Sequence, residues 1–322
     1  MALTPRDSIH ALQIQAGTLG RNTGHSFEAS LSDLINNLSY PRNASRIDAN
    51  IISGSPELDI INKALTYLKW PSCDRVEALA LGRLATADAG KQWLEVHGVV
   101  VKACKSDILL TLYHGNKIET IGVSVKQCNN YQPTNAQLYF TTARAFCTLL
   151  LNNGIEISEY GINSLRQFCG DEGFRPMDDP QILNSRKTDP RRYYWEEINK
   201  NGKEELERIF SKHQNQITKL LLQKAYLNDP FIPQLLVHKT KKILTGPQEY
   251  ALYTIDELVE RSIIYSGFYK KSYSVRKGQY RDPEGAEHEA PRFGIVQMQR
   301  GGQKQHPTQL QFNLKAGYFY CI

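Results

Sequence analysis

The sequence predicts an α/β fold in which a mixed central sheet is flanked by helices, with additional helical and C-terminal β-rich elements. The composition, with 41% hydrophobic and 22% charged residues over 322 positions, is that of a folded globular protein. Three apolar strands lie between segments with helical spacing, an order typical of helices packed on a sheet. Residues 261–322 carry three more strand patterns, which need a neighbouring layer to bury one face.

The N-terminal part is expected to be helical. Residues 26–39 and 55–70 carry apolar side chains at helical spacing. Ser26 is suited to cap the first helix, and the second begins with the cap-and-proline sequence Ser55-Pro56-Glu57. A third helix is predicted over 73–84.

Strands, helices and loops alternate along the rest of the chain. Strands are predicted around 96–103, 107–112, 118–126, 155–157, 272–280, 292–300 and 309–314. Helices are predicted over 136–151, over 191–227 with a break near Gly202, and over 255–264. The segment 171–190 is rich in Asp and Pro and is expected to be a loop or boundary. The predicted organisation is an N-terminal helical region (1–72), a core (73–170), and a helical plus C-terminal strand region (171–322) packed on that core.

Several classes of protein are disfavoured by the sequence. No apolar run approaches the roughly 20 residues that a membrane helix needs, and Met1–Asp7 lacks the features of a secretory signal. The six cysteines are scattered without a Cys-x-x-Cys pair, so we interpret them as free thiols in a reducing cytoplasm. The eight histidines show no metal-ligand spacing such as His-Glu-x-x-His.

The basic character of the chain is concentrated near its C-terminus. The net charge is +6, and residues 261–322 hold ten Lys or Arg against four Asp or Glu, which alone gives +6. Such asymmetry favours a polyanionic partner, although a solubilising tail is the alternative.

A predicted hairpin brings together three residues with polar or charged side chains suited to catalysis. Gly115-Asn116 is a favourable turn between two apolar strands, and reflection about it places Asp107 opposite Ser124. Ser124 and Lys126 are two residues apart, so they share a strand face. A carboxylate, a hydroxyl and an ammonium on neighbouring strands suit metal-assisted attack on a phosphodiester.

Asp107 and Ser124-Val125-Lys126 resemble the core motif of the PD-(D/E)xK nucleases, the superfamily that includes type II restriction endonucleases. The resemblance covers roughly residues 73–151 and implies a PD-(D/E)xK-like fold with 73–170 as the nuclease core. Two departures are present: Ser106 replaces the frequent Pro, and Ser124 replaces the second acid. Some members of the superfamily carry Ser-x-Lys and take an acid from elsewhere, and the same is inferred here.

A second carboxylate is needed because Mg²⁺ is usually held by one or two carboxylates with water and substrate oxygens. Glu77 is the candidate, since a helix before the strands often supplies an acid in this superfamily. A solvated helix charge is the alternative reading of Glu77. Glu95 and Glu119 are competitors, but Glu119 is five residues before Ser124 and is expected on the opposite face.

The resemblance implies a role for each residue of this set. Asp107 and Glu77 would hold Mg²⁺, and Lys126 would orient or deprotonate the attacking water. Ser124 would donate a hydrogen bond to a metal-bound water. The alternatives are a strand-capping acid for Asp107 and a surface lysine for Lys126.

The C-terminal strands carry side chains suited to DNA. Arg and Lys bond guanine edges, Asn and Gln bond adenine edges, and basic segments contact phosphates. Ordinary amphipathic strands with a solvated basic surface are the alternative. The predicted DNA-binding residues are Lys270, Lys271, Arg276, Gln297, Gln299, Arg300, Lys304, Gln309, Gln311 and Asn313.

Taken with these features, the resemblance implies a Mg²⁺-dependent type II restriction endonuclease. It would hydrolyse double-stranded DNA at a short, palindromic sequence as a homodimer, in the cytoplasm of a bacterium or archaeon with a restriction-modification system. A DNA-binding protein with a degenerate, inactive site is one alternative, and a repair or mobile-element nuclease is another.

Overall fold

The structure is a computed structural model that describes residues 11, 24–47, 49–81, 94–96, 98–101, 104–128, 130, 132–224, 229–240, 249–265, 267–276, 281–300 and 308–322. Its helices are α1 (24–36), α2 (Glu57–Leu68), α3 (Ala143–Leu151), α4 (Glu159–Cys169), α5 (Pro180–Ser185), α6 (Lys200–Lys212), α7 (Gln214–Gln223), α8 (Ile255–Tyr265) and α9 (Ala316–Phe319). Its strands are β1 (Arg42–Asn43), β2 (Ile51–Ser53), β3 (Ser72–Cys73), β4 (Arg75–Ala80), β5 (Leu94–Val96), β6 (Val99–Val101), β7 (Ile108–His114), β8 (Lys117–Gln127), β9 (Ala136–Thr142), β10 (Pro233–Lys239), β11 (Glu249–Thr254), β12 (Phe268–Tyr273), β13 (His288–Phe293), β14 (Val296–Arg300) and β15 (Gln309–Leu314). No helix in these described ranges combines the length and apolarity needed to span a bilayer.

The chain forms two compact units, each made of separate segments. The first, called here the six-stranded unit, contains the described residues of Asp7–Ala136, Lys219–Val259 and Ala316–Ile322. The second, the five-stranded unit, contains those of Gln137–Thr218 and Glu260–Lys315. Residues 73–170 and 171–322 therefore each contribute to both units.

The six-stranded unit is built on a mixed sheet with the strand order β2-β11-β10-β8-β7-β4. The strands β8 and β10 are parallel, and the other neighbouring pairs are antiparallel. Leu31 and Ile35 of α1 and Ile60 and Leu65 of α2 pack with the apolar residues of one sheet face. The predicted α/β class, with a mixed sheet covered by helices, is confirmed.

The central hairpin has the predicted register. His114 pairs with Lys117 around the turn, and Ile108 pairs with Val123. Gly115 has φ +57°, a conformation that favours glycine and closes the two-residue turn. Just before β7, the Asp107 N–H donates to the Val123 carbonyl at 2.9 Å.

The helix predicted over 73–84 is wrong. Residues 73–80 form β3 and β4, with Val76 and Ala78 buried and Arg75 and Glu77 exposed. This alternation has the two-residue period of an edge strand. Residues 82–84 lie outside the described ranges.

The strand predicted around 96–103 is found in part. Val99–Val101 pairs with Leu94–Val96 in a two-stranded ribbon, apart from the six-stranded sheet. Residues 97, 102 and 103 lie outside the described ranges.

The five-stranded unit contains a sheet with the order β12-β13-β14-β15-β9. The helix predicted over 136–151 is half wrong, because its aromatic and β-branched first half is β9 and only Ala143–Leu151 is helical. Thr142 caps this helix by accepting the Ala145 N–H. Residues 155–157, predicted as a strand, are irregular.

Two further C-terminal predictions need correction. The strand predicted over 292–300 is two strands, which turn at Gly294 with φ +53°. The long helix predicted over 191–227 begins only at Lys200, where Asn199 caps it, and it breaks at His213 instead of Gly202. By contrast, 309–314 and 255–264 were predicted correctly to within one residue.

Candidate active site and candidate nucleic-acid interface

Asp107, Ser124 and Lys126 converge at one end of the six-stranded sheet. Asp107 Oδ2 accepts hydrogen bonds from the Val125 N–H at 2.6 Å, from Lys126 Nζ at 3.0 Å and from Ser124 Oγ at 3.3 Å. The Asp107 and Lys126 side chains are 26% and 20% exposed, so both remain open to a substrate. All three bonds end on Oδ2, and Oδ1 accepts none from the described residues.

A second carboxylate, on α1, is electrostatically coupled to this cluster. Glu28 is only 7% exposed, and its Oε2 has no hydrogen-bond partner in the described part of the chain. Burial, helped by the charge of Asp107 and partly opposed by Lys126, raises the pKa of the Glu28 carboxyl to about 7. Glu28 therefore lies within electrostatic reach of both residues.

The acids predicted from the sequence occupy other positions. Glu77 is half-exposed on β4, where it accepts a hydrogen bond from the Tyr113 hydroxyl at 2.8 Å and pairs with Arg75 at 3.0 Å. Glu119 lies opposite Leu112, on the face away from Ser124, as expected. Glu95 is exposed on the two-stranded ribbon. The structure brings none of these acids into hydrogen-bonding contact with the cluster.

The segment before Asp107 is fixed by the loop that leads into β10. Asp229 accepts the backbone N–H groups of Lys105 at 2.6 Å and Phe231 at 3.2 Å. Ser106 Oγ donates to the Phe231 carbonyl at 2.7 Å. Burial and the neighbouring Lys126 lower the pKa of the Lys105 ammonium to about 7. A second lysine thus stands beside the three clustered residues.

His238 is the neighbour of Lys126 on the parallel strand β10. It is buried, its Nδ1 lies 2.5 Å from the Tyr320 hydroxyl, and burial lowers its pKa to about 3. Because the imidazole stays neutral, it adds no positive charge beside Lys126 near neutral pH.

Asp107 and Glu28 are donors of the kind that a hard cation prefers. Two carboxylates, Asp107 and Glu28, each keep an oxygen without a hydrogen-bond partner among the described residues. Those residues contain no group of three or more His, Cys, Asp or Glu able to cage a metal. Mg²⁺ is commonly bound by one or two carboxylates with water and substrate oxygens, so the arrangement fits that ion.

The five-stranded sheet presents one polar face, which we call the amide face. Directly opposed residues on antiparallel strands share a face, and Arg292 opposes Gln297, Gln297 opposes Asn313, and Gln299 opposes Gln311. Gln137 on β9 joins the set through its hydrogen bond to Gln311. The amide face therefore consists of Arg292, Gln297, Gln299, Gln311, Asn313 and Gln137, and Gln309 follows the same alternation.

Carboxamides on this face are linked into a row. Gln297 donates to Gln299 at 3.1 Å, Gln299 donates to Gln311 at 3.4 Å, and Gln311 donates to Asn313 at 3.1 Å and Gln137 at 3.5 Å. The row crosses three strands, so neighbouring amides fix one another's orientation.

The predicted basic residues differ in whether they have acidic partners among the described residues. Lys270 is bound by Glu289 at 2.9 Å, and Arg300 lies 3.4 Å from buried Asp189. Both alternate onto the face opposite the amides. Lys271 and Arg276 are exposed, and Lys304 lies outside the described residues.

Known proteins resemble this chain in structure and not in sequence. No protein-family model matches the sequence, and no curated protein matches it. Among solved structures, the chain is similar to restriction endonuclease MspI, crystallised in complex with its cognate DNA. The identity is 13%, the TM-score is 0.45, and the likeness covers 80% of this chain and 78% of that chain.

Sequence reasoning missed Glu28 and Gln137. Glu28 sits in the predicted first helix, beside the apolar stripe of Phe27, Leu31 and Ile35. The available signal was an acidic residue at the border of an apolar stripe, because a charge there must be either exposed to water or bound to a partner. Gln137 gave no signal, since its segment was assigned to a helix.

Proposed function

We propose that this protein is a metal-dependent deoxyribonuclease of the PD-(D/E)xK kind, acting as a type II restriction endonuclease on a short, palindromic duplex site. The observation that supports this most is that Ser124 Oγ, Lys126 Nζ and the Val125 N–H all lie within 3.3 Å of Asp107 Oδ2. Glu28 supplies the second acid that the Ser-x-Lys sequence lacks.

Each residue of the candidate active site has its own role in the proposed chemistry. Asp107 and Glu28 would hold Mg²⁺, which would supply Lewis acidity and a lower pKa for attacking water. Lys126 positions that water and offsets the negative charge that develops on the scissile phosphate. Ser124 keeps Asp107 oriented and offers a hydroxyl to solvent bound in the site. The Val125 N–H fixes the same carboxylate from the backbone.

The duplex is proposed to be held by the five-stranded unit. Exposed Lys271 and Arg276 are suited to phosphates, and the amides of Gln297, Gln299 and Gln311 are suited to base edges. Gln309 and Asn313 belong to the same proposed interface, with Lys304 outside the described residues. Lys270 and Arg300, with their acidic partners, are assigned to stability in this proposal.

A homodimer is proposed because a two-fold protein matches a palindromic site. Sedimentation equilibrium with and without a palindromic duplex tests this part separately. A species of twice the chain mass is expected without DNA, and of two chains plus one duplex with it, whereas a single chain bound to one duplex would contradict the dimer.

A second candidate function is DNA binding without cleavage. It is favoured by Ser124, a neutral residue where the superfamily pattern has an acid. This alternative requires that Glu28 does not act as a metal ligand.

Digestion of unmethylated phage DNA with Mg²⁺ tests these proposals. Discrete bands, lost in Asp107→Ala and Lys126→Ala, are expected for a restriction endonuclease. A smear would indicate an unspecific repair or mobile-element nuclease. Binding without cutting would support the inactive alternative and contradict the proposal.

A further inference from the structure

The amide face carries an arginine, Arg292, that forms no ion pair with an acid among the described residues. Arg292 on β13 is half-buried directly opposite Gln297. Its buried Nε has no hydrogen-bond partner, and no ion pair among the described residues includes it. A buried guanidinium N–H is costly to leave without an acceptor, so such a group points to an acceptor supplied by a ligand.

The contrast with Arg300 sharpens this observation. Arg300 comes from the neighbouring strand β14, but it alternates onto the opposite face and lies 3.4 Å from Asp189. Of the two arginines on these strands, Arg300 therefore has an acidic partner and Arg292 has none among the described residues. None of the strand residues that define the amide face is acidic, so no carboxylate of that face competes for Arg292.

The surroundings of Arg292 favour a base edge over a phosphate. Phosphate contacts are commonly made by exposed cations, and Lys271 on β12 is such a residue. Arg292 instead stands at the end of a row of neutral carboxamides held in register by hydrogen bonds. A planar guanidinium fits the O6 and N7 acceptors of guanine bidentately, and carboxamides fit adenine.

We propose that Arg292 is a specificity-determining residue that reads a guanine in the major groove, with the carboxamide row beside it reading the adjacent pairs. This inference rests on the proposed function only in assuming that the chain binds duplex DNA. It does not require the chain to cleave DNA.

Selection from a randomised duplex pool, with Ca²⁺ in place of Mg²⁺ and sequencing of the bound fraction, tests the inference. The wild-type protein is expected to enrich a motif with a fixed G·C pair. In Arg292→Ala, discrimination at that pair is expected to fall about 10- to 100-fold, while the other positions are retained.

Two further variants separate base reading from a structural or phosphate role. Arg292→Lys keeps the charge but not the bidentate fork, so it is expected to lose most of the discrimination. Lys271→Ala is expected to weaken binding to all sequences alike and to reduce the salt slope by about 1. Thermal melting of each variant identifies any that fails to fold.

Specific outcomes would overturn the inference. One is that Arg292→Ala or Arg292→Lys still enriches the wild-type motif with unchanged discrimination at the G·C pair. The other is that these variants bind all sequences more weakly and with a reduced salt slope. A wild-type protein that selects no sequence would also overturn it, yet cleavage dependent on Asp107 would still support a metal-dependent nuclease without site specificity. Selection without cleavage would contradict the proposed function and leave the assignment of Arg292 standing.

Discussion

At the scale of single residues, the candidate site depends on carboxylates whose surroundings differ. Asp107 is partly exposed and holds three donors on one oxygen, whereas Glu28 is buried with an oxygen that has no partner in the described chain. Glu77, the acid chosen from sequence, already has Arg75 and the Tyr113 hydroxyl as partners. Glu28, and not Glu77, is therefore the acid that we propose as the second cation ligand.

Glu28→Gln and Glu77→Gln form a matched pair that tests this assignment. Glu28→Gln is expected to lower Mg²⁺-dependent cleavage by about 100-fold or more, because loss of even an outer partner of a metal site costs 10- to 100-fold. Glu77→Gln is expected to stay within about threefold of wild type, since an exposed pair contributes little. Titration with Mn²⁺ measures ligation independently of cleavage. The reverse order of the two variants would reassign the ligand to Glu77.

His238 gives a prediction about stability against pH. Its pKa falls from 6.5 in the unfolded chain to about 3 in the fold. Between these values the unfolded state binds a proton that the native state does not, so stability is lost as pH falls below about 6.5. The loss is expected to reach about 2 kcal/mol by pH 5.

Urea unfolding at pH 7 and pH 5 measures this loss, and His238→Asn is the control. The variant is expected to be less stable at pH 7 but to show a shallower decline with acid. An identical decline in both proteins would show that His238 does not titrate on unfolding.

The sequence was sufficient for the part of the site that lies within one hairpin. Reflection about Gly115-Asn116 placed Asp107 beside Ser124, because a two-residue turn fixes the register of both strands. Glu28 could not be placed in this way, since no local rule relates a residue on α1 to the end of β7. That contact depends on how α1 packs on the sheet through Leu31 and Ile35.

At the scale of elements, β8 depends on a close approach by the loop before β10. A Cβ on Gly122 would lie 2.2 Å from Ser106 Oγ and 2.7 Å from the Ile232 carbonyl oxygen. The Ile232 backbone is part of the loop that also holds the segment before Asp107. Glycine at this position therefore lets the loop lie against the strand that carries Ser124 and Lys126.

Gly122→Ala is expected to destabilise the fold by about 1–3 kcal/mol, as overpacking of a tight contact does. Gly267→Ala is the matched control, because a Cβ there meets nothing within 4 Å, and it is expected to stay within about 0.5 kcal/mol. Denaturant unfolding compares them. Equal stabilities for the two variants would show that the loop moves freely away from β8.

The element predictions failed where tertiary pairing overrides local pattern. Residues 75–80 alternate buried and exposed side chains only because β7 pairs with them along one edge. Residues 136–142 become β9 because β15 is available as a neighbour in the sheet. The hairpin and 309–314 were predicted well, since their alternation and turn residues are local.

At the scale of the whole molecule, the net charge of +6 overstates the charge open to DNA. Lys270 and Arg300 are bound by acids, whereas Lys271, Arg276 and Arg292 have no acidic partner among the described residues. Lys271 and Arg276 are exposed and release counterions when they contact phosphates. Duplex affinity is therefore expected to fall with salt at a logarithmic slope of roughly −2 or steeper.

Fluorescence anisotropy at several salt concentrations measures this slope. The double variant Lys271→Ala, Arg276→Ala is expected to flatten it. A shallow slope in the wild-type protein would argue against binding through this surface.

The most direct test of the central claim is single-turnover cleavage of a mapped duplex by the wild-type protein, Asp107→Asn and Lys126→Gln, with Mg²⁺ and with a chelator. Cleavage that requires Mg²⁺ and falls by at least about 100-fold in both variants is the expected result. Cleavage that persists with the chelator, or at the wild-type rate in either variant, would contradict a metal-dependent site built on these two residues.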